Sequence, residues 1–274
     1  GVAKKPIKNW EAYKEILAER LGTSNKLMRM LTSRAKANPK SVIFAEADHL
    51  NVLKAAQIVL EDGIGVPILL GDKEIIKELM LELNFEADIQ IIDPKSDNER
   101  ERRHRFAKIY WEKRQRKGIT LLDARKWMRE RNYFAAMMVN EGEADALVTG
   151  YSRSYPAVAK PMIELIGKSE GVLRVAATNI MMTSRGPMFF SDTAFNVNPT
   201  EEELVQIARM TNRVMKIFDI EPNLAMLSYS NFGSAKFKSA SKSSNAVAYL
   251  HKHFPEIIID GEIQADFALN MDLR

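Results

Sequence analysis

Ser41-Val-Ile-Phe-Ala45, Val66-Pro-Ile-Leu-Leu70 and Asp88-Ile-Gln-Ile-Ile92 are three short apolar runs rich in β-branched residues, and each reads as a strand. Between them, Leu50 to Glu61 and Asp72 to Leu83 repeat their apolar residues at helical spacing, and Gly63 marks the end of the first helix. Strand, helix and strand follow one another with connections too short for anything but a parallel sheet covered by helices. The fold class is therefore α/β with mostly parallel sheets.

A fourth strand closes this series in Ala144-Asp-Ala-Leu-Val-Thr-Gly-Tyr-Ser-Arg-Ser-Tyr-Pro-Ala-Val-Ala-Lys160-Pro161. Ala146 to Thr149 are small or β-branched, as a buried parallel strand requires, and Gly150 permits a turn that a Cβ would forbid. Ser152, Arg153 and Ser154 then follow at the strand's C-terminal edge, before a helix from Tyr155 to Gly167. In open α/β sheets that edge is where ligands bind. Two readings stand side by side: a domain junction that forms one wall of a ligand site, or a solvated turn before a helix.

Outward from this centre, Gly1 to Ile7 has the composition of a linker, and Asn9 caps a helix carrying Trp10, Tyr13, Ile16, Leu17 and Leu21 on one face. Ser24 starts a second helix that ends before Asn38-Pro39. Glu99 to Lys117 is a long basic helix with nine Arg or Lys against three Glu. Gly118 stops it, Thr120 caps the next helix with Asp123 three positions on, and Arg131 to Asn140 continues helical. After residue 167 the sequence predicts strands at Val172–Ile180 and Pro187–Ser191 joined as a hairpin through Ser184-Arg-Gly186. Thr200 and Glu203 form a capping box at a helix start, Leu224 to Ser228 is a strand, Ser241 to His253 a helix and Ile257 to Asp260 a last strand, with no closing helix before Arg274.

The chain has 274 residues, long for one core, and divides at the fourth strand: residues 1–25 as linker and docking helix, 26–150 as a first α/β domain, 151–274 as a second. Its formal charge of +4 arises from 40 basic against 36 acidic residues, an excess that suits a small anion as well as a nucleic acid. No stretch approaches the roughly 18 apolar residues of a spanning helix, and no apolar leader begins the chain, so a soluble cytoplasmic protein without membrane contact is expected. Cysteine is absent, which removes thiolate nucleophiles and Cys-ligated zinc; the four histidines are dispersed or sit near a helix end, and no metal site is expected.

Polar chemistry gathers after the later strands. Ser228-Tyr-Ser-Asn-Phe-Gly-Ser-Ala-Lys236 combines hydroxyls, backbone N–H groups freed by Gly233 and an ammonium, which together make a competent phosphate cradle. It lacks the spacing of a P-loop, and no Gly-x-Gly-x-x-Gly occurs, which disfavours an ATPase or dinucleotide site. Ser191-Asp-Thr-Ala-Phe-Asn196 and Asp260-Gly-Glu-Ile-Gln-Ala-Asp266 set carboxylates beyond strands, where they either orient a ligand or, as favoured here, cap the helices that follow.

In this order and at these spacings, Asp192 to Thr200, Leu227 to Lys236 and Asp260 to Asp266 resemble the signature stretches of phosphate acetyl/butyryl transferases, the phosphotransacetylase family. Gly1-Val-Ala-Lys-Lys-Pro-Ile-Lys-Asn-Trp10 is similar to the linker that joins the malic domain of large NADP-dependent malic enzymes to their phosphotransacetylase-like C-terminal half. The resemblance implies a two-domain fold of the isocitrate/isopropylmalate dehydrogenase type, with coenzyme A and acyl phosphate in an intervening cleft. It implies a phosphate-binding arginine at Arg114, from the match of Arg114-Gln-Arg-Lys117-Gly118 to a basic motif ending in Lys-Gly. It likewise implies acyl-CoA or phosphate contacts from Lys117, Ser152, Arg153, Ser154, Lys160, Ser228, Ser230, Gly233, Ser234, Lys236, Asp260 and Gln264.

Two departures shape the expected function. Active members resembling this chain carry a small-residue His-Ser-Thr loop followed by Arg-Pro, where this sequence has Tyr151-Ser-Arg-Ser-Tyr155 and Lys160-Pro161; an ammonium in place of a bidentate guanidinium forfeits about 1.5–3 kcal/mol. Family members also continue past the equivalent of Arg274 into a segment carrying a Ser-Arg and Asp catalytic group, so catalytic residues are unassigned in this chain, which is either a fragment or has lost those roles. The first-domain sheet is then incomplete, and its edge is either protected by dimerisation or prone to aggregation. The leading expectation is a regulatory domain that binds acetyl-CoA or coenzyme A, supports a homodimer or higher homo-oligomer, has no cofactor of its own and is covalently linked to a malic enzyme domain that uses NADP and a divalent metal. The alternative is an active phosphate acyltransferase. Nucleic-acid binding through Arg100 to Lys117 rests on charge alone and is set aside.

Overall fold

The computed structural model describes residues 9–183, 186–234, 237–270 and 272, and they form two compact units. Thr32–Lys168 make one; the described residues from Ser169 onward, with those from Asn9 through Leu31, make the other.

In the first unit the strands are β1 (Lys40–Phe44), β2 (Gly65–Leu70), β3 (Ile91–Ile92) and β4 (Ala146–Val148), all parallel in the order β3-β2-β1-β4. Side chains alternate across the pleat, so each face of the sheet acquires its own core. Ile43, Ala45, Ile68 and Leu70 join Phe106, Tyr110 and Phe134 from α4 (Arg100–Arg114) and α6 (Arg131–Asn140). Phe44 and Leu69 point the other way, onto Leu53 of α2 (Leu50–Glu61) and Ile76 of α3 (Lys73–Glu82). The three layers expected from the alternating pattern are present. β3 is shorter than the five-residue run predicted, because β2 ends at Leu70 and only Leu69 and Leu70 face it.

Helix termini follow local chemistry. At α5 (Leu121–Trp127) Thr120 and Asp123 cap each other's backbone, as their spacing required, and Asp72 caps α3 with bonds from Glu74 N and Ile75 N. The expected second start at Ser24 does not occur: α1 (Trp10–Ala37) is one helix of 28 residues. Gly22 costs a helix only about 1 kcal/mol and Thr23-Ser24-Asn25 a few tenths each, too little to break a helix whose flanks, up to Leu21 and from Lys26 onward, are rich in good formers. Residues 1–8 of the proposed linker lie outside the described residues. α4 does not present a uniformly solvated basic face, since Arg103 is buried and donates to the Pro94 and Ser96 carbonyls.

In the second unit β5 (Thr178–Thr183) and β6 (Gly186–Ser191) pair antiparallel as the expected hairpin; residues 184 and 185 of its turn lie outside the described residues. The predicted strand from Val172 begins six residues late. Its main chain is taken up instead by side chains: Leu173 N donates to Gln206 Oε1, Ala177 N to Asp192 Oδ1, and Val175 O accepts from Asn196 Nδ2. α8 (Glu201–Ile217) starts at the Thr200–Glu203 capping box. β7 (Leu224–Leu227) and β8 (Ile259–Ile263) pair parallel under α9 (Lys238–His253), with Val205, Ala246, Val247, Leu250 and Ile259 in one core. β8 therefore includes Asp260 and Glu262, which sequence reading placed at or beyond its end, and a short helix α10 (Ala265–Leu269) follows, against the expectation of no closing helix; its N-cap is Gln264, so Asp260 and Glu262 do not cap it as the favoured reading had it. Among the described residues no helix is long and apolar enough to cross a membrane.

Candidate functional site

In the first unit the strand order reverses between β1 and β4, and at such a switch point the loops leaving the C-terminal strand ends diverge and open a crevice. Glu46 leaves β1 there, and Thr149 to Ser154 leave β4. Gly150 adopts φ +104°, whereas a Cβ would meet nothing nearer than Val158 Cγ2 at 3.6 Å, so backbone conformation rather than space selects glycine. The turn wraps the Glu46 carboxylate. Gly150 N and Tyr151 N donate to Oε1 at 2.7 and 2.9 Å, while Ser152 N donates to Oε2 at 2.8 Å and the Ser152 hydroxyl to the same oxygen. Thr149 Oγ1 lies 3.3 Å from Oε1, but its single proton serves the shorter 2.8 Å bond to Asn132 Oδ1. Burial, with only 1% of Glu46 exposed, pushes its pKa up; the Ser152 hydroxyl and the three amides outweigh that and hold it down at about 2.

The rest of the loop is fastened from outside. Asn51 Nδ2 donates to the Tyr151 hydroxyl at 2.7 Å, His49 lies 5.6 Å from the Tyr151 ring, and Arg153 pairs with Glu130 at 3.6 Å. Asp48 receives both Arg131 guanidinium nitrogens, at 2.6 and 2.8 Å; burial raises its pKa and Arg131 more than offsets it. Ser154 is the N-cap of α7 (Tyr155–Leu165) and makes no side-chain cap bond. Six residues on, exposed Lys160 places its ammonium 5.5 Å from the Trp127 ring, a cation–π distance.

Arg114 and Lys117 separate. Arg114 donates from Nη2 to Glu164 Oε1 at 3.0 Å, and Glu164 Oε2 accepts from Tyr110 and Tyr133, each at 2.8 Å. Burial raises the Glu164 pKa, but the two hydroxyls and Arg114 bring it below the usual range; burial and Glu164 together push Tyr110 up to about 12. Arg114 Nε is buried with no hydrogen-bond partner among the described residues. Lys117 is exposed, on the short 3₁₀ turn after α4.

The second unit builds a comparable turn. Ser230 Oγ and Gly233 N donate to Glu262 Oε1 at 3.0 and 2.9 Å, and Ser234 Oγ, 3.1 Å from Ser230 Oγ, accepts from Asn231 N. Pairing shifts here from Met226–Gly261 to Leu227–Ile263, so Glu262 is the unmatched residue of a bulge, a feature that re-aims side chains. Gly261 admits the bulge because a Cβ there would lie 2.7 Å from Met226 O. Glu262 is 1% exposed and its Oε2 is buried with no hydrogen-bond partner among the described residues. Gln264 locks the same loop through Asn231 Nδ2 and the Tyr229 carbonyl, both at 2.8 Å. Ser228 N donates to the Ile263 carbonyl at 3.0 Å and so continues the β7–β8 ladder past its last paired residue. Asp260 is exposed, and its carboxylate accepts from Gly261 N at 2.8 Å. Lys236 lies outside the described residues. Asp192 accepts from the amides of Ala177, Ala194, Phe195 and Asn196 and so organises its own loop; it does not cap the helix that follows, α8, whose N-cap is Thr200, which corrects the capping reading.

The structure thus places Ser152, Arg153 and Ser154 on one loop, with Lys160 midway along the helix that follows it, and gathers Ser228, Ser230, Gly233, Ser234 and Gln264 around a second turn. The acceptors at the centre of these groups, Glu46, Glu164 and Glu262, were not among the sequence candidates. Applying the strand-end rule to β1 as well as β4 would have found Glu46. Among the described residues no group of three or more His, Cys, Asp or Glu is placed to hold a metal.

A family model described as phosphate acetyl/butaryl transferase matches residues 26–274. The chain is 36% identical over 275 residues to an NADP-dependent malic enzyme of Haemophilus influenzae, covering 98% of this chain and 36% of that protein. It is 33% identical to a phosphate acetyltransferase of Clostridium acetobutylicum, over 90% of this chain and 76% of that protein. A phosphotransacetylase structure from Streptococcus pyogenes superposes with a TM-score of 0.80 at 31% identity, covering 90% of this chain and 75% of that one. The chain spans about a third of the length of the malic enzymes it matches.

Proposed function

Because the chain belongs to the phosphate acetyl/butaryl transferase family, we propose that it is the C-terminal regulatory domain of an NADP-dependent malic enzyme and binds acetyl-CoA as its effector. The observation that carries this reading is coverage. The malic enzyme match takes in 98% of the chain, against 90% for the phosphate acetyltransferase, so similarity to malic enzymes reaches beyond the shared transferase portion. Malate oxidation, NADP and a divalent metal belong in this reading to a separate, covalently linked domain, and the whole protein is a cytoplasmic homo-oligomer.

Two features of the site support a sensing role. Arg114 is paired with Glu164, and the Gly150–Ser152 amides are paired with Glu46, so groups suited to hold a transferring phosphate are engaged by the chain's own carboxylates. Arg153 and Ser154 stand at the exposed rim of the same loop, where a guanidinium and a hydroxyl would meet a ligand's phosphates, and Lys160 lies further along α7. Calorimetry of acetyl-CoA with the full-length protein tests the proposal: saturable binding is expected, and no heat at millimolar ligand overturns it. The second reading, an active phosphate acyltransferase, is favoured by the 33% identity to a protein of that name. Formation of acetyl phosphate from acetyl-CoA and phosphate by the full-length protein would establish it in place of the first.

A further inference from the structure

The turn after β4 has the form of an anion-binding nest: three consecutive amides and one hydroxyl converge on a single centre. Its occupant is a side chain of the same chain, 104 residues before Gly150. We infer that Glu46 is an internal anion that fills this nest and positions the loop. Ser152 is thereby committed to Glu46, and Arg153 and Ser154 are the groups the loop can offer to a ligand.

Three observations converge on this assignment. Both carboxylate oxygens are satisfied, Oε1 by two amides and Oε2 by an amide and a hydroxyl, which leaves no donor of the nest for a second anion. Glu46 is almost fully buried, so it is not a surface group that happens to touch the loop. The main chain on either side of Glu46 is held by the sheet, with Ala45 N donating to Val148 O and Ala47 N to Leu70 O, so the carboxylate projects from a rigid base. A ligand phosphate entering the nest would face a buried like charge, and the loop can take one only outside it.

The role in ligand choice rests on the acetyl-CoA reading, but the role in loop position does not, and one experiment separates them. Hydrogen exchange is followed by residue-resolved NMR or mass spectrometry in the full-length protein and in Glu46→Ala and Glu46→Gln variants. In Glu46→Ala, protection at Gly150, Tyr151 and Ser152 should fall about tenfold or more while β1 and β2 stay protected. Sodium formate at tens of millimolar should restore it, because a free carboxylate refills the nest; sodium chloride at equal ionic strength should not. Glu46→Gln should lose less protection and gain nothing from formate. Unchanged protection in Glu46→Ala, or a loss that formate and chloride affect alike, overturns the inference. If Glu46→Ala does not fold, the Gln variant decides: full wild-type protection of the three amides overturns the inference and partial loss supports it. Titration of acetyl-CoA into Ser152→Ala and Arg153→Ala then tests ligand choice, with the larger loss of affinity expected for Arg153→Ala. Wild-type protein that does not bind acetyl-CoA would remove the functional reading and leave the exchange result standing.

Discussion

Two loops in this chain close on a buried glutamate, and they differ in how completely they do so. The Gly150–Ser152 turn satisfies both oxygens of Glu46, whereas the Ser230–Gly233 turn gives two donors to one oxygen of Glu262 and leaves Oε2 buried with no hydrogen-bond partner among the described residues. Glu46 projects just past the end of β1, beside a regular parallel pair; Glu262 is the unmatched residue of a bulge. A buried carboxylate is costly unless its acceptors are filled, so the first turn is a finished clamp and the second an incomplete one. Equal burial does not mean equal contribution to stability.

The sharpest way to break the comparison is to remove the first acceptor. Glu46→Ala strands three amides and a hydroxyl and should cost about 3 kcal/mol or more in denaturant unfolding, while Glu262→Gln, which keeps an oxygen for Ser230 and Gly233, should stay within about 1 kcal/mol of wild type. A larger loss from Glu262→Gln than from Glu46→Ala would invert the comparison.

The glycines give a somewhat smaller contrast. Gly261→Ala sets a Cβ 2.7 Å from Met226 O, on a backbone at φ +129°, and should cost about 2–3 kcal/mol; Gly150→Ala meets open van der Waals contact at 3.6 Å and should cost only about 1–2 kcal/mol, for its backbone conformation. Thermal unfolding of the two variants side by side checks the order.

Acid separates the clamps more gently. Glu46 ionises at about 2 in the folded chain against 4.5 ordinarily, so its contribution is fully present above pH 4.5 and is lost as pH falls through 2. Between those limits wild type should lose up to about 3 kcal/mol that Glu46→Gln does not, read as a flatter stability profile in the variant. Across pH 5–8 Glu46 stays charged, and the loop should show no pH dependence from it. The smallest effect is expected at Lys160→Arg, which keeps the cation over Trp127 and should leave stability within about 0.5 kcal/mol of wild type.

Much of the scaffold could be read from local pattern. The alternation of Ile43 and Phe44 across β1, and the capping pairs Thr120–Asp123 and Thr200–Glu203, depend on residues within a few positions of each other, and all three are present. Local reading failed where tertiary bonds replaced it. Val172–Ala177 has strand composition, but Gln206, Asp192 and Asn196 take its main chain; Ser24 has a cap's chemistry but no interruption to cap. The strand-end rule places Glu46 at the edge of β1, but the partners of the candidate site's centres could not be read locally, for the same reason. Glu46 meets its donors across 104 to 106 residues, Glu164 meets Arg114 across 50, and Glu262 meets Ser230 across 32. The sequence shows the donors as loops rich in glycine and hydroxyls, without showing that an acceptor already waits inside the chain.

The most direct test of the regulatory reading is malate-dependent NADP reduction by the full-length protein as acetyl-CoA is titrated in. A saturable change in rate, diminished by Arg153→Ala, is the expected result. A rate indifferent to acetyl-CoA at millimolar concentration would contradict it.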